Sequence, residues 1–246
     1  MFRRVTLLAL AVVAVLAIPV SSALAVNSPQ QFSASVTPAK GGTKAKPTPV
    51  TLKVRPYFGD ISADAAAPFA TQLATVFFPA ESVFNGKFFP SCPGPKVLAA
   101  ANTCPSNSKV GTGTAAGVAL GLTENLKVTI YNGPGGNKVE LLVDGSSPLA
   151  IHSVIEGTLT KTTGQYGLKL TVPIPADLQQ PAPGAIATLT DFNTTLPVKF
   201  VKKGKKKIPY LGASGCKTGK WNFGYTGLYT DGTSQTVNVT QACKKA

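Results

Sequence analysis

An all-β fold is predicted, an antiparallel β-sandwich or alternatively a β-barrel, closed by two local disulfides. Three features of the sequence predict it: apolar and polar residues alternate with period two, turn dipeptides separate the alternating runs, and four cysteines fall into two close pairs.

The chain starts with Arg3 and Arg4, an apolar run from Val5 to Val20, two serines, and Ala23-Leu24-Ala25. This is the pattern of a secretory signal peptide over residues 1–25, with cleavage after the small residue Ala25. No cysteine follows the run to take a lipid, and no later apolar stretch has the length of a second span, so no membrane span is expected after cleavage. Of the 246 residues, 221 remain, enough for one large all-β domain. Residues 26–30 read as a short flexible lead and 31–246 as that single domain.

Several strands can be placed from the alternation. Phe32, Ala34 and Val36 alternate with Ser33 and Ser35, and Val50, Leu52 and Val54 with Thr51 and Lys53. The same pattern runs through Leu126, Val128 and Ile130, through Tyr166 to Val172, and through Trp221, Phe223 and Tyr225. Because successive strand side chains point to opposite faces, each run buries one face. Asn85-Gly86, Asn132-Gly133, Asp144-Gly145 and Asp231-Gly232 accept the positive φ of tight turns, so antiparallel pairing is expected. The proline-rich stretch from Pro173 to Gly184 has room for one turn of helix, at Ala176 to Gln179.

Proximity pairs Cys92 with Cys104 and Cys216 with Cys243, and a hairpin turning at Asp231-Gly232 would carry Cys243 back to Cys216. An exported chain meets an oxidising compartment, where such bridges persist. Loops this short give about 3 kcal/mol each. Zinc is disfavoured, since neither spacing is CxxC and the single histidine, His152, is distant from both pairs. No metal or cofactor is called for.

The segment Phe88-Phe89-Pro90-Ser91-Cys92, followed by Cys104-Pro105-Ser106-Asn107-Ser108-Lys109-Val110-Gly111-Thr112-Gly113, resembles uncharacterised secreted β-rich proteins of high-GC Gram-positive bacteria with an FP-x-C … C-P-x-x-S-x-V-G-x-G pattern. Val128 to Pro134, Gly215 to Trp221 and Asp231 to Thr233 fit the same group. The resemblance covers most of the exported part. It implies a secreted β-rich domain with locally paired cysteines, and it carries no activity.

Chemical motifs are sparse. Gly111 to Ala116 has the letters of a dinucleotide loop without the strand and helix that give the loop its use, so small residues in a strand are expected there. His152 and Glu156, four apart in a strand, stand about 13 Å from each other and cannot act as a pair. Ser214 lacks the full G-x-S-x-G elbow. The ten acidic residues are scattered and mark out no glycosidase couple.

Charge gives the clearest hint. Two of the 24 basic residues lie in the export segment, leaving 22 against 10 acidic, a formal +12. Lys199, Lys202, Lys203, Lys205, Lys206 and Lys207 surround Gly204, where a turn would gather them into an anion-binding tip. The plain alternative is a strand edge protected by charge. An anionic cell-wall polymer or acidic surface fits this tip, whereas export argues against nucleic acid. The function expected is a non-catalytic extracellular or wall-associated domain. Two other readings stand beside it: a secreted hydrolase of wall or environmental polymers, and a carrier of an apolar ligand, suggested by Phe69, Phe77, Phe78, Phe84, Phe88 and Phe89. A cavity inside the core is the feature that separates the last reading from a solid core.

Overall fold

The structure, a computed structural model, describes residues 30–58 and 69–245. Residues 1–25, read as a signal peptide, and most of the lead lie outside the described residues; Gln30, read as lead, instead opens the first strand.

In chain order the strands are β1 (Gln30–Thr37), β2 (Thr48–Pro49), β3 (Thr51–Phe58), β4 (Thr71–Pro79), β5 (Ser82–Phe84), β6 (Lys109–Ala119), β7 (Leu122–Asn132), β8 (Lys138–Gly145), β9 (Ile151–Lys161), β10 (Tyr166–Pro173), β11 (Ala187–Leu196), β12 (Phe200–Lys203), β13 (Lys206–Pro209), β14 (Leu211–Ala213), β15 (Lys220–Tyr229) and β16 (Ser234–Ala242). Helix α1 (Gly94–Ala100) lies inside the first disulfide loop, and α2 (Ala176–Gln179) is the single turn expected in the proline-rich stretch.

Eleven strands form one sheet in the order β1-β3-β11-β6-β7-β8-β9-β10-β4-β15-β16, every neighbouring pair antiparallel. The sheet curls until its edges meet, so of the two architectures foreseen, sandwich and barrel, the nearly closed barrel is the one adopted. With an odd number of antiparallel strands, β1 and β16 must run parallel where they meet. Side chains make this seam. Gln30 N–H donates to Gln235 Oε1 at 2.7 Å, Val36 N–H to Gln241 Oε1 at 2.7 Å, and Gln241 Nε2 to the Val36 carbonyl at 2.8 Å. Two glutamines thus satisfy edge groups that would otherwise be left open to another chain.

Alternation explains the layering. On β16, Ser234, Thr236, Asn238 and Thr240 face out, while Gln235, Val237, Val239 and Gln241 are half-buried. Apolar residues face the barrel interior and polar residues face outward, the inverse of an outer-membrane barrel. Among the described residues no helix is long and apolar enough to cross a membrane.

One end of the barrel is closed. The connections β1–β3, β4–β6 and β11–β15 all lie there and supply the three strands of the small sheet β2-β14-β5 across it. Tyr210 is fully buried beneath this sheet, edge-on to Phe84 and Phe89 with ring centroids 4.9 Å away in each case. Asn132 ties the layer down, its Nδ2 donating to the carbonyls of Gly86 and Pro90 at 3.1 Å.

Both disulfides flank this closed end. Cys92 bonds Cys104, with Cα atoms 5.6 Å apart, and Cys216 bonds Cys243, at 5.9 Å, where the β15–β16 hairpin returns as the sequence implies. Three turn dipeptides act differently from expectation: after Asn132, Gly133 is extended with φ of −83°, and the positive φ of that reversal falls at Gly135 and Gly136. Asp144-Gly145 continues β8, opposite His152 and Ile151, and the chain reverses after it. Asn85-Gly86 leads into a 3-10 turn, with Asn85 Nδ2 donating to the Pro209 carbonyl at 2.8 Å.

Candidate functional site

The walls that close the barrel do not fill it. Inside lies a cavity of about 220 Å³. It reaches from Phe84 and Leu211 beside the closed end to Leu149, Ile174 and Leu178 at the other. Leu52, Val76, Ala115, Leu141 and Phe223 line its middle, all projecting from strands whose alternation points them inward. Small inward residues explain the space: Ala115 and Gly117 on β6 and Ala74 on β4 stand where bulkier side chains would meet across the barrel. The volume exceeds the roughly 150 Å³ of an apolar cavity that stays dry and accepts benzene.

The end away from the closed sheet is bordered by α2, the β8–β9 connection and the β6–β7 turn. Leu120 in that turn and Leu122, the first residue of β7, are 73% and 55% exposed, and Ile186, just before β11, is 56% exposed. Ala187 pairs with Ala119, so these three apolar side chains belong to one rim. Leu120 also has φ of +51°. A left-handed leucine costs about 1–2 kcal/mol, and here that conformation holds an oily side chain in solvent.

One polar side chain stands out in the cavity wall. Glu124 is 6% exposed and shares the inward register of Leu126, Val128 and Ile130. Its Oε2 accepts the Leu149 N–H at 2.9 Å, and its Oε1 has no partner.

The lysine segment forms the β12–β13 hairpin, turning at Gly204 with φ of +60°. Lys202 pairs with Lys207 and Lys203 with Lys206, and Lys202, Lys203, Lys205, Lys206 and Lys207 are all exposed. Like charges directly opposite destabilise a ladder, so the hairpin carries an electrostatic load that folding alone does not require. Lys199 is set apart, its Nζ donating to the Lys109 carbonyl. The structure adds a member that proximity in sequence could not supply: Lys87 and Lys203 both place their ammonium groups over the Phe88 ring, at 5.1 and 5.0 Å. Among the described residues none of these lysines joins an ion pair.

The charge is polarised along the barrel. Lys40, Lys44 and Lys46 in the β1–β3 connection, Lys87 and Lys96 between β4 and β6, the hairpin lysines and Lys244 and Lys245 all lie in segments at the closed end. The described connections at the rim end, 120–121, 146–150, 174–186 and 230–233, contain no lysine or arginine.

The remaining candidates have structural roles. His152 Nδ1 donates to Asp144 Oδ1 at 2.6 Å and Nε2 to the Leu98 carbonyl at 2.8 Å, pinning α1 to the barrel wall. The Leu98 carbonyl first, then Asp144, raises the imidazole pKa by stabilising the charged ring. Both ring nitrogens are engaged, and neither faces a serine hydroxyl. Ser214 Oγ donates to the Glu81 carbonyl at 3.0 Å. Gly111 to Ala116 lies within β6. Glu140 and Glu156 are directly opposite on β8 and β9, but Glu140 is 2% exposed under the start of α1. A Cβ on Gly94 would meet its Oε2 at 3.0 Å, so no substrate fits between. Among the described residues no group of three or more His, Cys, Asp or Glu side chains could hold a metal ion.

No family model matches the chain, and neither do any curated protein or any solved structure.

Proposed function

We propose that the protein is an exported, non-catalytic binding barrel that carries an apolar ligand in its interior. The observation that carries this reading is the apolar cavity of about 220 Å³ enclosed by the eleven-stranded wall. Leaving it empty forfeits dispersion contacts along its whole lining, and a guest of matching shape restores them. Ligand sites of this kind are mostly apolar, concave and largely preformed. The apolar rim supports the reading as a place where a guest leaves water. The signal segment and both disulfides fit an oxidising compartment outside the cytosol.

A second reading is compatible with the first, because a separate observation favours it: the unpaired lysines gathered at the closed end. Through them the barrel binds an anionic wall polymer or acidic surface, with the rim turned away. For a polymer hydrolase, the cavity lining among the described residues offers one carboxylate, Glu124, rather than a facing pair.

The test of the carrier reading changes the size of the hollow in both directions. N-phenyl-1-naphthylamine brightens when it leaves water, and it is expected to do so on titration with the protein. Ala115→Phe, which fills the cavity, is expected to weaken binding by roughly tenfold or more, the loss of about 1.4 kcal/mol or more. Leu126→Ala should destabilise the fold by about 2–5 kcal/mol yet leave probe affinity equal or higher. Binding that followed stability rather than cavity size in this pair would refute an interior site.

A further inference from the structure

Glu124 is a costly residue at its position. Its inward register places a carboxylate among Leu126, Leu149 and Ile151, and a buried oxygen with no hydrogen-bond partner costs about 1–3 kcal/mol, more when charged. The fold satisfies one oxygen, through the Leu149 N–H, and does not satisfy the other. The missing side chain of Gly145 leaves the space that this oxygen fills. Gly145 lies so close that a Cβ there would meet Oε1 at 2.5 Å, and the residue facing Glu124 across the ladder on β6 is Gly117. An apolar side chain at 124 would pack the wall without this penalty; the unpaired oxygen, sealed in this conformation, would meet a donor from outside the chain if the carboxylate turned toward the hollow.

We infer that Glu124 Oε1 receives the hydrogen-bond-donating head of an amphiphile whose tail occupies the cavity, a chain ending in a hydroxyl or an ammonium rather than in an ester or carboxylate. The inference rests on the carrier reading and gives it a ligand class. The tail extends from Glu124, at the rim end, toward Phe84 and Leu211, along the hollow's length. A neutral alcohol gives one hydrogen bond to the carboxylate; an ammonium adds opposite charge in a site of low dielectric. An ester has no proton to give. A second carboxylate has none either, and it repels the first.

Four ligands of one tail length make the test: 1-octanol, octylamine, methyl octanoate and octanoate, measured at neutral pH by displacement of N-phenyl-1-naphthylamine from the wild type and from Glu124→Gln. In the wild type the alcohol and the amine should bind roughly tenfold or more tighter than the ester and the acid, the scale of a hydrogen bond to a charged group. Tight binding of the amine alone identifies the head as a cation; tight binding of both identifies a general donor. In Glu124→Gln the amine preference should collapse and octanoate should gain, since the amide can donate to it. Four equal affinities in the wild type would overturn the role of Glu124 while leaving the carrier reading intact. Failure of all four, and of the probe, would remove the carrier reading and this inference together. Should Glu124→Gln not fold, the ranking in the wild type decides by itself.

Discussion

Glu140→Gln is expected to stabilise the protein at pH 8 by about 3 kcal/mol and to have little effect at pH 4. Glu140 is sealed between β8 and α1, and burial first, then the Glu156 charge directly opposite, pushes its carboxyl up to about 7 from an ordinary 4.5. The Gly94 N–H and Lys138 act the other way without restoring the ordinary value. Lys138 is largely committed to Glu156, at 2.7 Å. Between the unfolded pKa of 4.5 and the folded value of about 7, the native state holds a proton that the unfolded chain has lost. Stability from this group is therefore complete below pH 4.5, falls as pH rises, and levels off above pH 7, with a slope of up to about 1.4 kcal/mol per pH unit. Glutamine preserves the shape without the charge. Urea unfolding of wild type and variant from pH 4 to pH 8 measures the difference, in which titrations common to both cancel. A pH-independent difference would mean that Glu140 is solvated and α1 does not seal it.

The second large effect concerns the basic end. Replacing Lys202, Lys203, Lys205, Lys206 and Lys207 with Gln should cut affinity for a phosphate-rich wall polymer by roughly three to four orders of magnitude at low salt, at about 1 kcal/mol for each lysine near an anionic surface. Lys199 is left in place because its ammonium already holds the Lys109 carbonyl. The five side chains are exposed, so thermal unfolding should hardly change or rise slightly as facing like charges are removed. Retention on immobilised polymer, followed through a salt gradient, reads the effect. The wild type should elute late and the variant early; elution of both at one ionic strength would reduce the lysines to guards of a strand edge.

Much of this architecture is legible in the sequence because strand alternation is a local signal. β1, β10 and β15 follow from Phe32-Ala34-Val36, Tyr166 to Val172 and Trp221-Phe223-Tyr225, and the cysteine pairs follow from proximity and the hairpin at Gly232. What alternation cannot reveal is which strands become neighbours. β3 pairs with β11 and β4 with β10 across more than eighty positions of chain, and only that order bends the sheet into a barrel. Gly41 illustrates the same limit. It looks like a loose turn, yet its N–H donates to the Lys244 carbonyl at 2.9 Å, and any Cβ there would overlap the Gly215 backbone.

The candidate site divides in the same way. The lysine hairpin is visible because its residues are consecutive, whereas Lys87 joins it only through the shared face of Phe88. The cavity was only hinted at by the phenylalanines, of which Phe78 and Phe84 line it, since hollowness depends on what faces a side chain across the barrel. Glu124 did leave a trace: carried back one period, the run Leu126, Val128, Ile130 arrives at a charged residue on the buried face. Helix α1 was missed because seven residues show too few turns for a helical period, and it is held by Val97 in the wall and by the His152 clamp.

A crystal of the protein pressurised with xenon tests the hollow, apolar interior most directly, because xenon enters apolar cavities and ignores solid cores and polar, water-filled ones. Ordered xenon among Leu126, Ala115 and Leu141 inside the barrel is the result expected. Well-ordered crystals without xenon there, or with a hydrogen-bonded water chain in its place, would contradict the account.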